Sequence, residues 1–142
     1  MKFLQLSEIV LINRRMIDEY GGYSEGQDNL RNPGSLKYIL DAIQGSLFGQ
    51  DRYPTLVDKA AAVAWYIIMH HVFHDGNKRT GMGACRSLLE ANGHTMRIDE
   101  EVKDVAYQIA GRQLPFSDFV HWLEERVEPL KLASPSHITN SV

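Results

Sequence analysis

His70-His71-Val72-Phe73-His74-Asp75-Gly76-Asn77-Lys78-Arg79-Thr80-Gly81 is the stretch whose reading decides the fold. A strongly apolar helical run ends near Met69 on one side of it, and beyond Gly76 a second run continues to about Ala91. The stretch is therefore a corner between two helices. A helix starting just after Gly76 offers unpaired backbone N–H groups and the positive end of its dipole, a site for an anion such as phosphate. Lys78 and Arg79 fall in its first turn, where positive charge opposes the dipole by roughly 0.3–1 kcal/mol per residue. Two cations at the wrong helix end, beside a glycine that lets a ligand approach the backbone, imply that the missing negative charge belongs to a phosphorylated ligand. An imidazole stands just upstream at His71, either a general base, since imidazole titrates near neutrality, or simply the last polar residue of the core helix.

Working outward, Thr55 with Asp58 three residues later opens the helix that leads into the corner. From Ala60 to Met69 every residue is apolar or Tyr, so this helix is surrounded by others and forms the core. The helix after the corner, from Asn77, turns Met82, Cys85, Leu88 and Leu89 inward and stops at Asn92-Gly93 in a left-handed cap. Towards the amino end, Ser7 caps a helix to about Tyr20 whose broad apolar face comprises Ile9, Val10, Leu11, Ile12, Met16 and Ile17. Gly21-Gly22 ends it, and residues 21–32, rich in Gly and Asn, read as an irregular loop with room for a short hairpin. Asn32-Pro33 begins a helix to about Gln44 with Leu36, Ile39, Leu40 and Ile43 as its stripe. Residues 45–54 are a turn-rich connection.

After the corner helix, Asp99 caps a helix that buries Val102, Val105, Ala106 and Ile109 and ends at Gly111. A last helix starts near Phe116, buries Phe119, Val120, Leu123 and Val127, and ends before Pro129. With no strand pattern, repeat or heptad array, the expected class is all-α, a bundle of about six helices. Residues 1–128 form one domain and 129–142 a loose tail.

Bulk properties narrow the function. A chain of 142 residues with 44% hydrophobic and 23% charged residues is one globular domain able to bury a core without metal or disulfide support. A net charge of -3 argues against a general nucleic-acid binder, so the phosphate site must be local. The single cysteine, Cys85, sits in a helical pattern and fits a buried thiol in a reducing cytoplasm. Gln5, Ser7 and Glu8 interrupt the amino-terminal apolar residues, which makes a poor signal peptide, and the apolar run Ala60–Met69 is too short to span a bilayer.

The segment His71-Val72-Phe73-His74-Asp75-Gly76-Asn77-Lys78-Arg79-Thr80 resembles the signature of Fic/Doc proteins, and Lys78 points to the death-on-curing branch. In the larger Fic branch the position of Lys78 is usually Gly, and another Arg stands where this chain has Met82. Tyr20-Gly21-Gly22 and Leu88-Leu89-Glu90-Ala91-Asn92-Gly93 also look like death-on-curing sequences, so the likeness spans most of residues 5–128. The resemblance implies a Fic/Doc-type bundle with a central buried helix followed by the anion-binding loop. It implies the toxin of a toxin–antitoxin pair acting as a protein kinase that uses ATP and Mg²⁺, with elongation factor Tu as target and translation arrest as outcome. By the same likeness His71 is the base and Asp75 the Mg²⁺ ligand. Gly76, Asn77, Lys78, Arg79 and Thr80 hold the phosphates, and Gly21, Gly22 and Tyr23 lie in a flap beside the target groove. Fic proteins that restrain themselves carry a Ser/Thr-x-x-x-Glu helix, a spacing absent from this chain, so a separate antitoxin is the expected inhibitor.

Competing readings remain at several positions. Asp75 is also a good N-cap for the helix after the corner, Thr80 either faces a phosphate or back-bonds its helix, and Phe73 is a core anchor in any reading. Transfer of AMP is the alternative reaction, which Lys78 and Met82 oppose because both alter the pocket for the inner phosphates in the Fic orientation. A binding module that mainly recognises an antitoxin is a non-enzymatic alternative. His74-Asp75 resembles the adjacent pair of HD-type metal phosphohydrolases, but such a site needs an earlier His, and none precedes His70.

Overall fold

The computed structural model describes residues 1–45 and 51–131. Its helices are α1 (Leu6–Tyr20), α2 (Pro33–Ala42), α3 (Leu56–Met69), α4 (Asn77–Ala91), α5 (Glu100–Ala110) and α6 (Phe116–Arg126). The all-α class and the six helices are those the sequence announces. One element was not expected: β1 (His94–Met96) pairs antiparallel with β2 (Val127–Pro129).

α3 is the axis of the bundle. Its start is a reciprocal cap in which the Asp58 N–H donates to Thr55 Oγ at 3.0 Å and the Thr55 N–H donates to Asp58 Oδ2 at 3.2 Å. Ala60 through Ala64, Ile67 and Ile68 are all buried, as an all-round apolar sequence requires. Even Lys59 is buried, its ammonium held by Asp51 at 3.1 Å and by the Tyr53 carbonyl. Small residues let α4 lie almost on the α3 backbone. A Cβ on Gly81 would stand 2.8 Å from Ile68 Cγ1 and 3.0 Å from the Ala64 carbonyl oxygen.

Several boundaries differ from the sequence reading. α1 starts at Leu6 behind Gln5, not at Ser7. The Glu8 carboxylate reaches back to the Gln5 N–H at 2.9 Å, while Leu4 and Ile9 are both buried in the core, the placement of a hydrophobic staple. Leu11, expected on the apolar face, is 45% exposed, and Asn13 is buried in its stead. α2 ends at Ala42, two residues short of Gln44. α6 stops at Arg126, so Val127 is a strand residue and not the last buried turn of the helix. Pro129 pairs with His94 and the Leu130 N–H donates to the Gly93 carbonyl at 3.0 Å. The body therefore extends past the expected limit at residue 128. A three-residue strand pair leaves too short an alternation for the sequence to display. The expected tail from 132 onward, and residues 46–50 of the connection before α3, lie outside the described residues.

The α3–α4 contact yields a test. Gly81→Ala gains about 1 kcal/mol of helix propensity but overpacks the crossing, at a cost of about 1–3 kcal/mol. The expected net result is a lower Tm in thermal melts, whereas Gly34→Ala, with open space around it, should not lower it.

Candidate active site

The corner between α3 and α4 is held in a conformation that its own sequence does not favour. His71 has φ 46, in the left-handed region, although it is not glycine. The residues after it are fastened from outside. The Val72 carbonyl accepts the N–H groups of Arg31 and Asn32 at 2.8 and 2.9 Å, and the Asn29 carbonyl accepts the His74 N–H at 3.0 Å. Leu30 and Phe73 thus form a single antiparallel bridge that joins the flap to the loop; the short hairpin expected within residues 21–32 does not form. Phe73 and Val72 are fully buried, as an anchor should be.

Asp75 does not cap α4. Gly76 occupies that position with φ 79, and a Cβ there would lie 3.1 Å from both Asn13 Nδ2 and Ile17 Cδ1. Instead the Asp75 carboxylate is a two-way link. Its Oδ2 accepts the Tyr23 N–H and its Oδ1 accepts the Gly76 N–H, each at 2.8 Å. Those two donors, with Lys78 and Arg79 nearby, hold its carboxyl below the ordinary value of 3.8, against the opposing effect of partial burial. Gly22 makes the link possible, since a Cβ there would stand 2.7 Å from Asp75 Oδ2. Gly21 has open space around it and φ 85, so it serves the turn out of α1.

His71, Asp75, Gly76, Asn77, Lys78 and Arg79 line one groove of about 790 Å³ that runs between α4 and α5. The structure thus brings most of the expected site residues together. Gly21, Gly22 and Tyr23 of the flap are not among the groove's lining, and neither is Thr80: it is fully buried, and its hydroxyl accepts from Asn13 Nδ2 at 3.0 Å, so it braces the loop from beneath and does not face a phosphate. The Asn77 side chain is also turned away from the role of anion donor. Its Oδ1 accepts the Phe73 N–H at 2.9 Å and its Nδ2 donates to the Phe73 carbonyl at 2.8 Å. What the turn offers an anion is the backbone N–H groups of Asn77, Lys78 and Arg79, the first turn of α4, which have no intrahelical acceptor. Lys78 Nζ lies 4.8 Å from the centre of the Tyr107 ring, and the Arg79 guanidinium 4.3 Å from that of Tyr20.

Two residues that the sequence reading passed over organise this assembly. The buried Asn13 of α1 donates to the Asp75 carbonyl at 2.9 Å as well as to Thr80, and its Oδ1 accepts from Asn29 Nδ2 at 3.0 Å. Asn29, also buried and with φ 56, accepts the Glu25 N–H on its Oδ1 and donates to the Tyr23 carbonyl. The signal was present: Asn13 falls four residues after Ile9 on the buried stripe of α1, a polar amide where the pattern asks for an apolar side chain. His74 also lines the groove and lies 3.7 Å from Glu25.

Asn13→Ala would leave the Asp75 carbonyl and the Thr80 hydroxyl without their partner and would take from the Asn29 amide one of its two acceptors. At about 1–3 kcal/mol per unsatisfied buried group, a loss of several kcal/mol in a denaturant titration is expected. The Asp75 link also has a pH dependence. A carboxyl with a depressed folded-state pKa contributes stability above its ordinary range and loses it as pH falls through the folded value. Amide exchange at Tyr23, followed by NMR, should therefore stay protected at neutral pH and speed up, relative to the intrinsic rate, only below the ordinary 3.8.

The chain is similar to known proteins of one family. A family model described as "Fic/DOC family" matches residues 3–89. The "Toxin Doc" of Mycolicibacterium smegmatis is 34% identical over 90 residues, covering 61% of this chain and 69% of that protein. The "Protein kinase doc" of Escherichia phage P1 is 23% identical over 120 residues, covering 82% of this chain and 89% of that protein.

Proposed function

The chain belongs to the Fic/DOC family, and from that premise we propose that it is a toxin acting as a protein kinase, transferring the terminal phosphate of ATP to a hydroxyl of a target protein. The observation that carries the choice of reaction is Lys78. Its ammonium lies over the Tyr107 ring of α5, so the side chain spans the groove beside the anion-binding turn. A glycine there would leave that space open for the inner phosphates. With Lys78 across it, the donor fits with its terminal phosphate at the turn. Met82, buried at 6% exposure and lining the groove, supplies no charge in support of the opposite orientation.

The chemistry follows from the loop. His71, exposed at the groove, accepts the proton of the target hydroxyl as the oxygen attacks the terminal phosphorus, and ADP departs as the leaving group. The first-turn N–H groups of α4, Lys78 and Arg79 stabilise the negative charge on the transferred group. Asp75 would hold Mg²⁺. It fits, because its carboxylate is exposed and each oxygen keeps a lone pair beyond its one N–H. A cation with one protein carboxylate completes its shell from water and phosphate oxygens, the habit of Mg²⁺. Bound there, it would neutralise phosphate charge. The names of the two relatives, a toxin and a protein kinase, support the reading. A cognate antitoxin is the partner it implies, and a translation factor, elongation factor Tu, the target. Among the described residues no helix is long and apolar enough to cross a membrane.

The test pairs ATP labelled at the α position with ATP labelled at the γ position, using wild type, His71→Ala and Lys78→Gly on a bacterial lysate. Wild type should pass only the γ label to protein. His71→Ala should abolish transfer while melting like wild type. Lys78→Gly should lower transfer about 10²–10³-fold, the usual loss for one such electrostatic contact. Transfer of the α label by wild type would overturn the kinase assignment in favour of AMP transfer.

A further inference from the structure

The groove does not end at the anion-binding turn. It continues along α4, and its far walls carry two more cations, Arg86 on α4 and Lys103 on α5. Arg86 comes seven residues after Arg79, close to the same helical face and about 10 Å further along the axis. Met82, Ile98, Val102 and Ala106 line the groove with them, an apolar lining between charged ends.

The charge balance of this lining departs from that of the chain. The chain as a whole is at -3, yet the groove holds Lys78, Arg79, Arg86 and Lys103 against only Asp75 and Asp99. Both carboxylates are engaged elsewhere. Asp99 binds Arg126 at 2.9 Å and caps α5 through the Glu101 N–H at 3.0 Å, and Asp75 binds the Tyr23 and Gly76 N–H groups. Among the described residues Lys103 has no carboxylate within ion-pair distance, and Arg86 has only Glu90, at 2.9 Å. That pair is exposed and of the i,i+4 kind, so little holds Arg86 away from a ligand. Helical side chains lean towards the amino end of their helix, which lets a released Arg86 cover the turn that contains Met82.

A single phosphate at the turn would leave Lys103 without a counter-charge and Arg86 with only the exposed Glu90. We propose that these two residues form a second anion station, which takes the inner phosphates of a nucleoside polyphosphate lying along α4 with its terminal phosphate at the Asn77–Arg79 turn. The station sets both the orientation of the donor and the preference for a triphosphate over a monophosphate. The identity of the donor rests on the kinase reading above; the second station rests on the groove itself.

Calorimetric titration of the full chain with ATP, AMP and inorganic phosphate tests it, using wild type, Arg86→Gln, Lys103→Gln and the double variant. Both side chains are exposed, so the variants should melt like wild type. Each single change should weaken ATP roughly tenfold, the factor that corresponds to one lost contact of moderate strength, and the double variant more. Binding of inorganic phosphate should change by less than about twofold in each. In steady-state transfer assays the loss should appear mainly in KM for ATP and much less in kcat, the mark of a binding contact shared by ground and transition states. Glu90→Gln, which frees Arg86, should tighten ATP. ATP affinity in the double variant equal to that of wild type, or wild type binding ATP no more tightly than inorganic phosphate, would overturn the station. The two readings fail separately: a two-station binding pattern without γ-label transfer removes the kinase and keeps the station, and normal transfer by the double variant below the wild-type KM does the reverse.

Discussion

A single buried amide pair, Asn13 with Asn29, carries the connections on which the site depends. Asn13 holds the Asp75 carbonyl and the Thr80 hydroxyl from α1, and Asn29 receives its other end from the flap. Three segments, α1, the flap and the corner that opens α4, meet there. Apolar packing alone does not hold the flap, which exposes most of its residues. A buried amide left unpaired costs about 1–3 kcal/mol, and that penalty makes the arrangement specific: slide the flap by one residue and several buried donors and acceptors lose their partners at once. The amide network thus fixes geometry in a region where hydrophobic burial cannot.

The cations of the site are positioned by a different device. Lys78 and Arg79 rest on Tyr107 and Tyr20; among the described residues neither has a carboxylate within ion-pair distance. A cation over an aromatic face gains about 0.5–1 kcal/mol at an exposed site, enough to bias a rotamer. Unlike a salt bridge, that contact leaves the positive charge uncompensated. Both side chains are therefore ordered and still charged towards the groove, at the helix end where the dipole already favours an anion. The two tyrosines, each more than half exposed, are retained on the surface at that cost in apolar exposure.

The parts of this molecule that sequence discloses are those written in local patterns. The unbroken apolar run before Met69 identified the core helix, and the Thr55–Asp58 spacing identified its cap. Gly76 before two cations located the anion-binding turn, and His71, Asp75, Lys78 and Arg79 do line one groove. What stayed hidden depends on contacts between distant residues. The strand pair joins residues near 95 to residues near 128 and is too short for periodicity to register. Thr80 and the Asn77 amide look like phosphate ligands in the linear motif, but the fold directs one down to Asn13 and the other back to Phe73. Arg86 and Lys103 belong to the groove only because α5 packs across α4, a fact that no local spacing expresses.

The conformation of His71 shows how these constraints act together. A left-handed backbone at a residue with a Cβ costs about 1–3 kcal/mol, and nothing in the His71 side chain compensates for it locally. The compensation lies on both sides. α3 behind it cannot shift, because it is packed on all faces and pressed against α4 at Gly81; Val72 and Phe73 ahead are buried and bonded to the flap through Arg31, Asn32 and Asn29. The chain must reverse between a fixed helix and a fixed strand-like bridge, and His71 occupies the one position left to turn. Its imidazole is thereby carried out of the core to the mouth of the groove. Among the described residues no hydrogen bond holds its ring, so the backbone turn, and not a ring partner, brings the proposed base to the groove.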